Sequence, residues 1–506
     1  MAIRPSSSPQ SRFTSRLPQG APQSGFDVLG DLWNNQSVSG EPYEAVNLKN
    51  LESIPQITRL PEELRWNIQV VGHVLPFKSN RYVIDHLIDW DDVPNDAMFR
   101  LTFPQREMLD PVHFDHMAQT LDAGADAKEI KRVADEIRMT LNPHPAGQME
   151  HNVPRLDGQP LNGMQHKYRE TVLFFPSQGQ TCHAYCTFCF RWPQFVGLDG
   201  QKFAMHEGEL LKRYVEAHPE VTDVLFTGGD PMIMKTKIFK TYLEPLLEPG
   251  AAQNVRTIRI GSKALAYWPQ RFVSDDDADE LLALLRRVVQ SGRQLAFMAH
   301  FNHPRELESP VALEAVRRLR NAGVQIRTQT PILKHINADA DTLSRMWQKQ
   351  TEAGLVPYYL FVARDTGAQR YFELPLDEAW ETYRQAIQQV SGLARTVRGP
   401  SMSATPGKVR ILGVSETQGE KVFVLDLLQA RDPDWVGRPF FAKYDADARW
   451  LDDLKPAFGE QEFFYEAALR DMLAQSGSPW SQEPGAQELG APDLGISTEF
   501  AAVSGD

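Results

Sequence analysis

Short apolar, β-branched runs alternate with longer amphipathic stretches through the middle of this chain. The runs are Thr171–Pro176, Asp223–Thr227, Val255–Gly261, Gln294–Ala299, Val324–Thr330 and Pro357–Val362. Between them lie Glu207–His218, Ile238–Leu247, Asp275–Ser291, Pro310–Ala322 and Asp339–Ala353. Each carries apolar residues three and four apart, as in Leu281, Leu282, Leu284, Leu285, Val288 and Val289, the spacing of one helix face. Strand–helix alternation predicts an α/β fold built on a parallel sheet, open or closed as a barrel.

In such folds chemistry gathers at the carboxyl ends of the strands. The residues that follow each run are accordingly polar or special. Cys182–Cys189 come after the first run, Thr227-Gly228-Gly229-Asp230 after the second and Ser262-Lys263 after the third. His300-Phe301-Asn302-His303 follow the fourth, Gln329 ends the fifth, and Arg364-Asp365 follow the sixth. A structural protein has no need of six such coincidences in order.

The flanks differ. Residues 1–40 are a Pro/Ser/Gln/Gly tail, and residues 41–165 look mainly helical, with polar turns such as Asp91-Asp92-Val93-Pro94. The strand–helix region spans 166–415, an α+β extension 416–475, and a second disordered tail 476–506. The first residues are Arg- and Ser-rich and lack acids before Asp27, as transit peptides do, but their prolines oppose an amphipathic helix and favour a tail. With 506 residues, 42% of them hydrophobic, the chain can bury one large core. Its formal charge of −13 disfavours a non-specific grip on nucleic acid. No apolar run reaches membrane-spanning length.

The chain has three cysteines, all in the stretch CHAYCTFC: Cys182, Cys186 and Cys189. A disulfide framework needs an even, distributed set, so this pattern fits a reducing cytoplasm. Thiolates are soft ligands for iron–sulfur clusters or zinc. Three of them leave one iron of a 4Fe–4S cubane open, as a catalytic centre requires. The plainer readings are a structural zinc site, with His183 as the nearby fourth ligand, or three unrelated thiols.

The spacing CxxxCxxC, with Phe188 before the last cysteine, resembles the radical S-adenosylmethionine signature. That resemblance implies that S-adenosylmethionine fills the open iron position and is cleaved reductively to a 5′-deoxyadenosyl radical. It also implies that Gly228, Gly229 and Asp230 hold the cofactor's amino group; alone, TGGDP is equally an ordinary turn. From about Tyr82 to Gly413 the chain resembles the lysine 2,3-aminomutase family. CHAYCTFCFR, FTGGDP, IRIGSK, AHFNHP, TQTPILKHIN, PYYLF and RGPSMSATPGK run in the family's order.

This resemblance implies a partial (β/α)6-type barrel with a helical N-terminal region and a C-terminal extension. It implies pyridoxal 5′-phosphate as second cofactor, joined to the substrate amine as an imine, and a 1,2-amino migration that turns an L-α-amino acid into a β-amino acid. Pro406-Gly407-Lys408 is a shortened form of the family's Pro–glycine run–Lys, which makes Lys408 the Schiff-base lysine; the alternative is a surface lysine in a Pro-Gly turn. Lys167 and Tyr168 match the family's Arg-Tyr pair at the cofactor phosphate, against the alternative of a solvated strand start. His300, Asn302 and Gln329 are assigned to cofactor binding, and Arg191 to the substrate carboxylate, which a guanidinium grips bidentately.

Lysine mutases meet the substrate's distal ammonium with two aspartates. Counting without gaps from Tyr358-Tyr359 to Phe372 puts Arg364 on the first of these positions, with Asp365 one residue out of register. The second falls near Ala404, or on Ser403 with the shorter loop. A cation facing an ammonium is repulsive, so free lysine is disfavoured and an anionic side chain favoured. The alternative is that Arg364 turns outward and Asp365 does the work. The expected enzyme is thus an isomerase acting on a small amino acid, fed by an electron donor such as flavodoxin or ferredoxin, with no nucleic-acid or membrane partner; a homo-oligomer is left open. Competing readings are a lysine 2,3-aminomutase acting on free or protein-bound lysine, a family member without pyridoxal phosphate, and a non-enzymatic metal-binding protein.

Overall fold

The computed structural model describes residues 41–198 and 203–474. Both terminal tails expected from the sequence lie outside them. The region before the sheet holds three long helices, α1 (Glu62–Val74), α2 (Pro111–Asp122) and α3 (Ala127–Thr140). Asp126 caps α3 by accepting a hydrogen bond from the Glu129 amide.

Each of the six apolar runs forms a strand. They are β2 (Thr171–Phe174), β3 (Asp223–Phe226), β4 (Thr257–Ser262), β5 (Gln294–His300), β6 (Gln325–Ile332) and β7 (Val356–Val362), preceded by β1 (Met164–Tyr168). Beyond them come β8 (Arg398–Ser403), β9 (Gly407–Thr417), β10 (Glu420–Ala430) and β11 (Phe440–Lys443). All eleven join one sheet in sequence order. β2 to β8 are parallel, while β1 and β9 to β11 run antiparallel to their neighbours.

The crossovers are α4 (Gly208–Ala217), α5 (Thr236–Leu247), α6 (Ala278–Gln290), α7 (Pro310–Asn321), α8 (Ala340–Glu352) and α9 (Leu376–Gln388). The first five fall within two or three residues of the segments predicted by periodicity. The fold is therefore α/β, on a large mixed sheet. β4 shows why its sequence suits it. Ile258 and Ile260 are fully buried under the helices, while Thr257, Arg259 and Gly261 alternate onto the other, half-buried face.

The sheet curls, so that its ends meet. β1 touches β10. Lys167 Nζ on β1 donates to the Ala404 carbonyl just past β8, and Arg431, directly after β10, donates to Asn152 Oδ1 at 2.7 Å and to the His151 carbonyl at 3.2 Å. The curl leaves an interior lined by the half-buried faces of the strands. A second, smaller core joins β9, β10 and β11 to the last described residues through Val409, Phe423, Leu425, Phe440, Trp450 and Phe463.

Candidate active site

A cavity of about 300 Å³ opens at the carboxyl ends of the parallel strands. Cys182, Cys186 and Cys189 line it, together with Gly228, Gly229, Asp230, His300 and Gln329. Arg191, Arg364 and Lys408 line the same cavity. Residues up to 226 apart in sequence (182 to 408) thus share one chamber.

The cysteine loop is gripped from two sides. Below it, the Gly229 amide donates to the Gly179 carbonyl at 3.1 Å and the Asp230 amide to the Thr181 carbonyl at 2.8 Å. Both glycines are needed for that approach. A Cβ on Gly229 would lie 2.4 Å from the Thr181 carbonyl oxygen, and Gly228 holds φ +139° with the Gln180 side chain 2.2 Å from where a Cβ would sit. The glycines therefore bring β3 against the chain's own cysteine loop as well as lining the cavity. From above, Lys78 Nζ donates to the Cys182 carbonyl at 2.7 Å and Tyr43 Oη to the His183 carbonyl at 2.8 Å. The Thr187 amide donates to the Leu101 carbonyl at 3.0 Å. The helical N-terminal region clamps this loop, a role its sequence did not reveal.

Burial raises the pKa of all three thiols, and the charges of neighbouring cysteines raise those of Cys182 and Cys186 further. Three half-buried thiols whose ionised forms repel each other make a site that a cationic metal centre stabilises. Among the described residues no three His, Cys, Asp or Glu side chains converge on one ion position. Three soft thiolate donors on one loop are the donor set an iron–sulfur cluster takes.

Asp230 lines the cavity, but its carboxylate is engaged by the protein. It accepts from the Met232 amide (2.9 Å), Ser262 Oγ (3.0 Å) and the Lys263 amide (2.8 Å), tying the β3 loop to the β4 loop. Burial pushes it up to about 6 against those donors. His300 and Gln329 hydrogen-bond side by side across β5 and β6. Burial, with Lys263 and Arg191 nearby, pushes His300 down to about 3, so the ring is neutral. Asn302 is fully buried and absent from the cavity wall. It accepts from Lys263 Nζ at 2.8 Å and donates to Thr330 Oγ1 at 3.0 Å, while Lys263 pairs with buried Glu306 at 2.7 Å. The structure gives Asn302 a place behind the wall instead of in direct cofactor contact.

Lys408 is the second residue of β9, paired in register with Ser403 and Gln429, and donates to Gln429 Oε1 at 3.1 Å. Its ammonium lies 4.0 Å from the centroid of the Tyr359 ring. Burial first, then the guanidiniums of Arg259 and Arg398, push it down to about 7. Lys408 is thus a half-buried strand residue with a lowered pKa and not a surface lysine in a turn. Lys167 and Tyr168 do not line the cavity wall but stand close behind it. Lys167 is held well below its ordinary value by burial and by Arg431, Arg364 and Lys408. Arg431 is buried, and its three hydrogen-bonded partners are oxygens of Thr405, His151 and Asn152, none of them a carboxylate. Sequence reasoning missed Arg431 altogether; a lone Arg after a strand carries no motif.

Arg191 and Arg364 share one aromatic support. Their guanidinium carbons lie 5.0 and 5.2 Å from the centroid of Phe190. Arg191 has no carboxylate partner among the described residues, and its Nη1 is buried without a hydrogen bond. Arg364 Nε is also buried and unbonded, 3.9 Å from Asp365 Oδ1. Asp365 itself is not part of the cavity wall. Its carbonyl and carboxylate accept from Asn142 Nδ2 at 2.6 and 3.2 Å. Of the two neighbours, Arg364 lines the chamber and Asp365 stands outside its wall.

A protein of Aquifex aeolicus (strain VF5) named "Putative L-lysine 2,3-aminomutase" is 33% identical over 406 residues, 80% of this chain and 95% of that protein. The chain belongs to the lysine 2,3-aminomutase family. It is an enzyme of the aminomutase kind, an isomerase, and this family implies S-adenosylmethionine and an iron–sulfur cluster. Other family members include the L-lysine 2,3-aminomutase of Escherichia coli (strain K12), 30% identical over 48% of this chain and 68% of its own length. A glutamate 2,3-aminomutase of Clostridioides difficile (strain 630) is 28% identical over 42% of this chain and 47% of its own. No family model matches the chain. Among solved structures, Streptococcus suis SuiB bound to precursor peptide SuiA aligns with a TM-score of 0.31 at 12% identity, over 45% of this chain and 48% of that one. No helix among the described residues is long and apolar enough to cross a membrane.

Proposed function

We propose that this family member is a radical S-adenosylmethionine, pyridoxal phosphate-dependent 2,3-aminomutase whose substrate is an L-α-amino acid with an anionic side chain. The observation that carries the reading is the pair Arg191 and Arg364 on Phe190, in the same cavity as the three thiols and Lys408. The curled sheet is, on this reading, the partial (β/α)6-type barrel, and the thiols hold a 4Fe–4S cluster reduced by a small one-electron donor such as flavodoxin or ferredoxin.

When bound, these groups supply a carbon radical that takes a β-hydrogen and a conjugated ring across which nitrogen migrates. The chain's own residues do the rest. Arg191 grips the α-carboxylate, and Arg364 grips the side-chain anion at the other end. Two guanidiniums at fixed positions set the register of a dicarboxylate, so its β-carbon is held toward the thiol end of the cavity. Lys408, largely deprotonated just above neutral pH and with the Tyr359 ring against its Nζ, would hold the cofactor through its aldehyde. Arg431 would supply the positive charge for the cofactor phosphate, with Lys167 beside it as a hydrogen-bond donor. The N-terminal clamp on the cysteine loop keeps bulk water from that end of the chamber.

A panel of L-glutamate, L-aspartate, L-lysine and L-arginine, offered to reconstituted enzyme with β-amino acid products followed, tests this. A second reading, a family member that works without pyridoxal phosphate, has one observation in its favour. Lys408 is fixed in a strand and bonded to Gln429, where the family has a glycine-rich run. A visible absorbance band of bound cofactor, lost in Lys408→Ala, separates the two.

A further inference from the structure

A second cavity, about 540 Å³, lies at the amino ends of the same strands, opposite the cysteine loop. Asp223, Thr257, Gln294, Gln325 and Arg398 each open their strand and line it, and Arg259 and Arg327 stand two residues further in. Exposed Gln294 and Thr396 mark its mouth. Three arginines therefore enter one chamber from three strands.

Their charge is not balanced. Asp223 is the one carboxylate on the wall, and Arg259 takes it with both Nε (2.9 Å) and Nη2, while Thr171 Oγ1 donates to it at 3.0 Å. Arg327 hydrogen-bonds through Nε to Gln325 Oε1 at 2.9 Å, and among the described residues neither Arg327 nor Arg398 has a carboxylate partner. Both guanidiniums instead lie against Tyr358, 5.0 and 4.3 Å from its centroid. The wall thus carries a net charge of +2, counting three arginines against one aspartate. Two guanidinium forks with free donors, held on a shared ring, match the oxygens of a phosphoryl group of charge about −2. The chamber is larger than such a group needs and has glutamines and threonines for an organic remainder.

We propose that this lower chamber is an anion site for a phosphoryl-bearing small molecule, gripped by Arg327 and Arg398. It touches the upper chamber through Lys408: Gln429, which accepts from Lys408 Nζ, lines the lower cavity, and Arg259 and Met298 line both. An anion held there offsets the positive field of Arg259 and Arg398 on Lys408 and so makes its amine more basic. The occupant is a separate phosphorylated metabolite, since the cofactor phosphate is assigned to the side of Lys167 and Arg431, neither of which lines this chamber.

Equilibrium dialysis of the full chain with labelled orthophosphate and pyrophosphate tests the site. The expected result is a saturable site that survives Arg364→Gln and is weakened at least about tenfold in Arg327→Gln/Arg398→Gln, with circular dichroism showing each variant folded. Repeating the titration on protein loaded with pyridoxal phosphate assigns the source. Retained binding is expected for a separate metabolite, and lost binding means the cofactor's own phosphate occupies the chamber and overturns the proposal. No saturable binding overturns the proposal, as does binding that survives the double substitution and disappears in Arg431→Gln.

Discussion

Arg191 and Arg364 reach the cavity from different loops and rest on the same ring, Phe190, at 5.0 and 5.2 Å from its centroid. Asp230, the carboxylate on the chamber wall, is taken up by other donors, and Asp365 stands outside the wall, so these two guanidiniums rest on one ring with no close carboxylate between them. The arrangement becomes favourable when the substrate brings two anionic groups. Arg364→Gln removes one of them. Loss of a charge-assisted contact worth about 2–3 kcal/mol lowers kcat/KM for a dicarboxylic amino acid by roughly 30- to 150-fold, while a neutral amino acid is barely affected. Steady-state kinetics on the two substrates measures the difference.

Asp365 provides the matching control. It faces Asn142 and not the cavity. Asp365→Asn keeps the contact with Asn142 and is expected to hold kcat/KM within about threefold of the parent, since this side chain is not part of the chamber wall. A loss as large as that of Arg364→Gln would return Asp365 to the reaction.

Lys408 sets a pH dependence. Its ordinary value of 10.5 falls to about 7 in the folded chain. The neutral amine is the reactive form, so the rate of loading with pyridoxal phosphate rises through pH 7 and flattens above about pH 8. The same shift acts on stability. Between about pH 7 and 10.5 the unfolded chain binds more protons than the folded one, so this lysine's contribution to stability rises with pH across that window and is lowest below it. Lys408→Met removes the dependence, and its Tm advantage over the parent is largest near pH 6 and shrinks toward pH 10.

Gly229→Ala forces a Cβ to within 2.4 Å of the Thr181 carbonyl oxygen, and the backbone next to Cys182 must move. The outcome expected is a folded protein with iron content after reconstitution well below half the parent value. Iron and sulfide analysis alongside far-UV circular dichroism checks both parts.

Lys263 and Glu306 form a buried pair at 2.7 Å, with Asn302 as third member. Lys263→Met leaves an unpaired buried carboxylate and costs about 3–5 kcal/mol in urea denaturation; adding Glu306→Gln recovers most of it.

Much of the sheet was legible because each strand buries one face under an amphipathic helix, which imposes both periods on the sequence. β8 was not, since Arg398-Gly399-Pro400 lacks an apolar run and proline and glycine disfavour strands. The hairpin strands β9 to β11 fell outside the repeating unit. At the site, the cysteines, the Gly-Gly-Asp turn, Arg191 and Lys408 carried local motifs. Tyr43, Lys78 and Arg431 did not, because they reach the site through contacts more than a hundred residues away in sequence. The choice between Arg364 and Asp365 was beyond any periodicity; it is made by Asn142, which draws Asp365 away from the chamber. Asn302 has a recognisable motif around it, yet its side chain serves the buried network behind the wall.

The measurement that tests the central claim most directly is competition between L-glutamate or L-aspartate and L-lysine for the anaerobically reconstituted, reduced enzyme, with β-amino acid products resolved by mass. The two guanidiniums on Phe190 predict that a dicarboxylic amino acid is converted with kcat/KM at least about a hundredfold above that for lysine. Faster conversion of lysine than of either dicarboxylate would contradict the account.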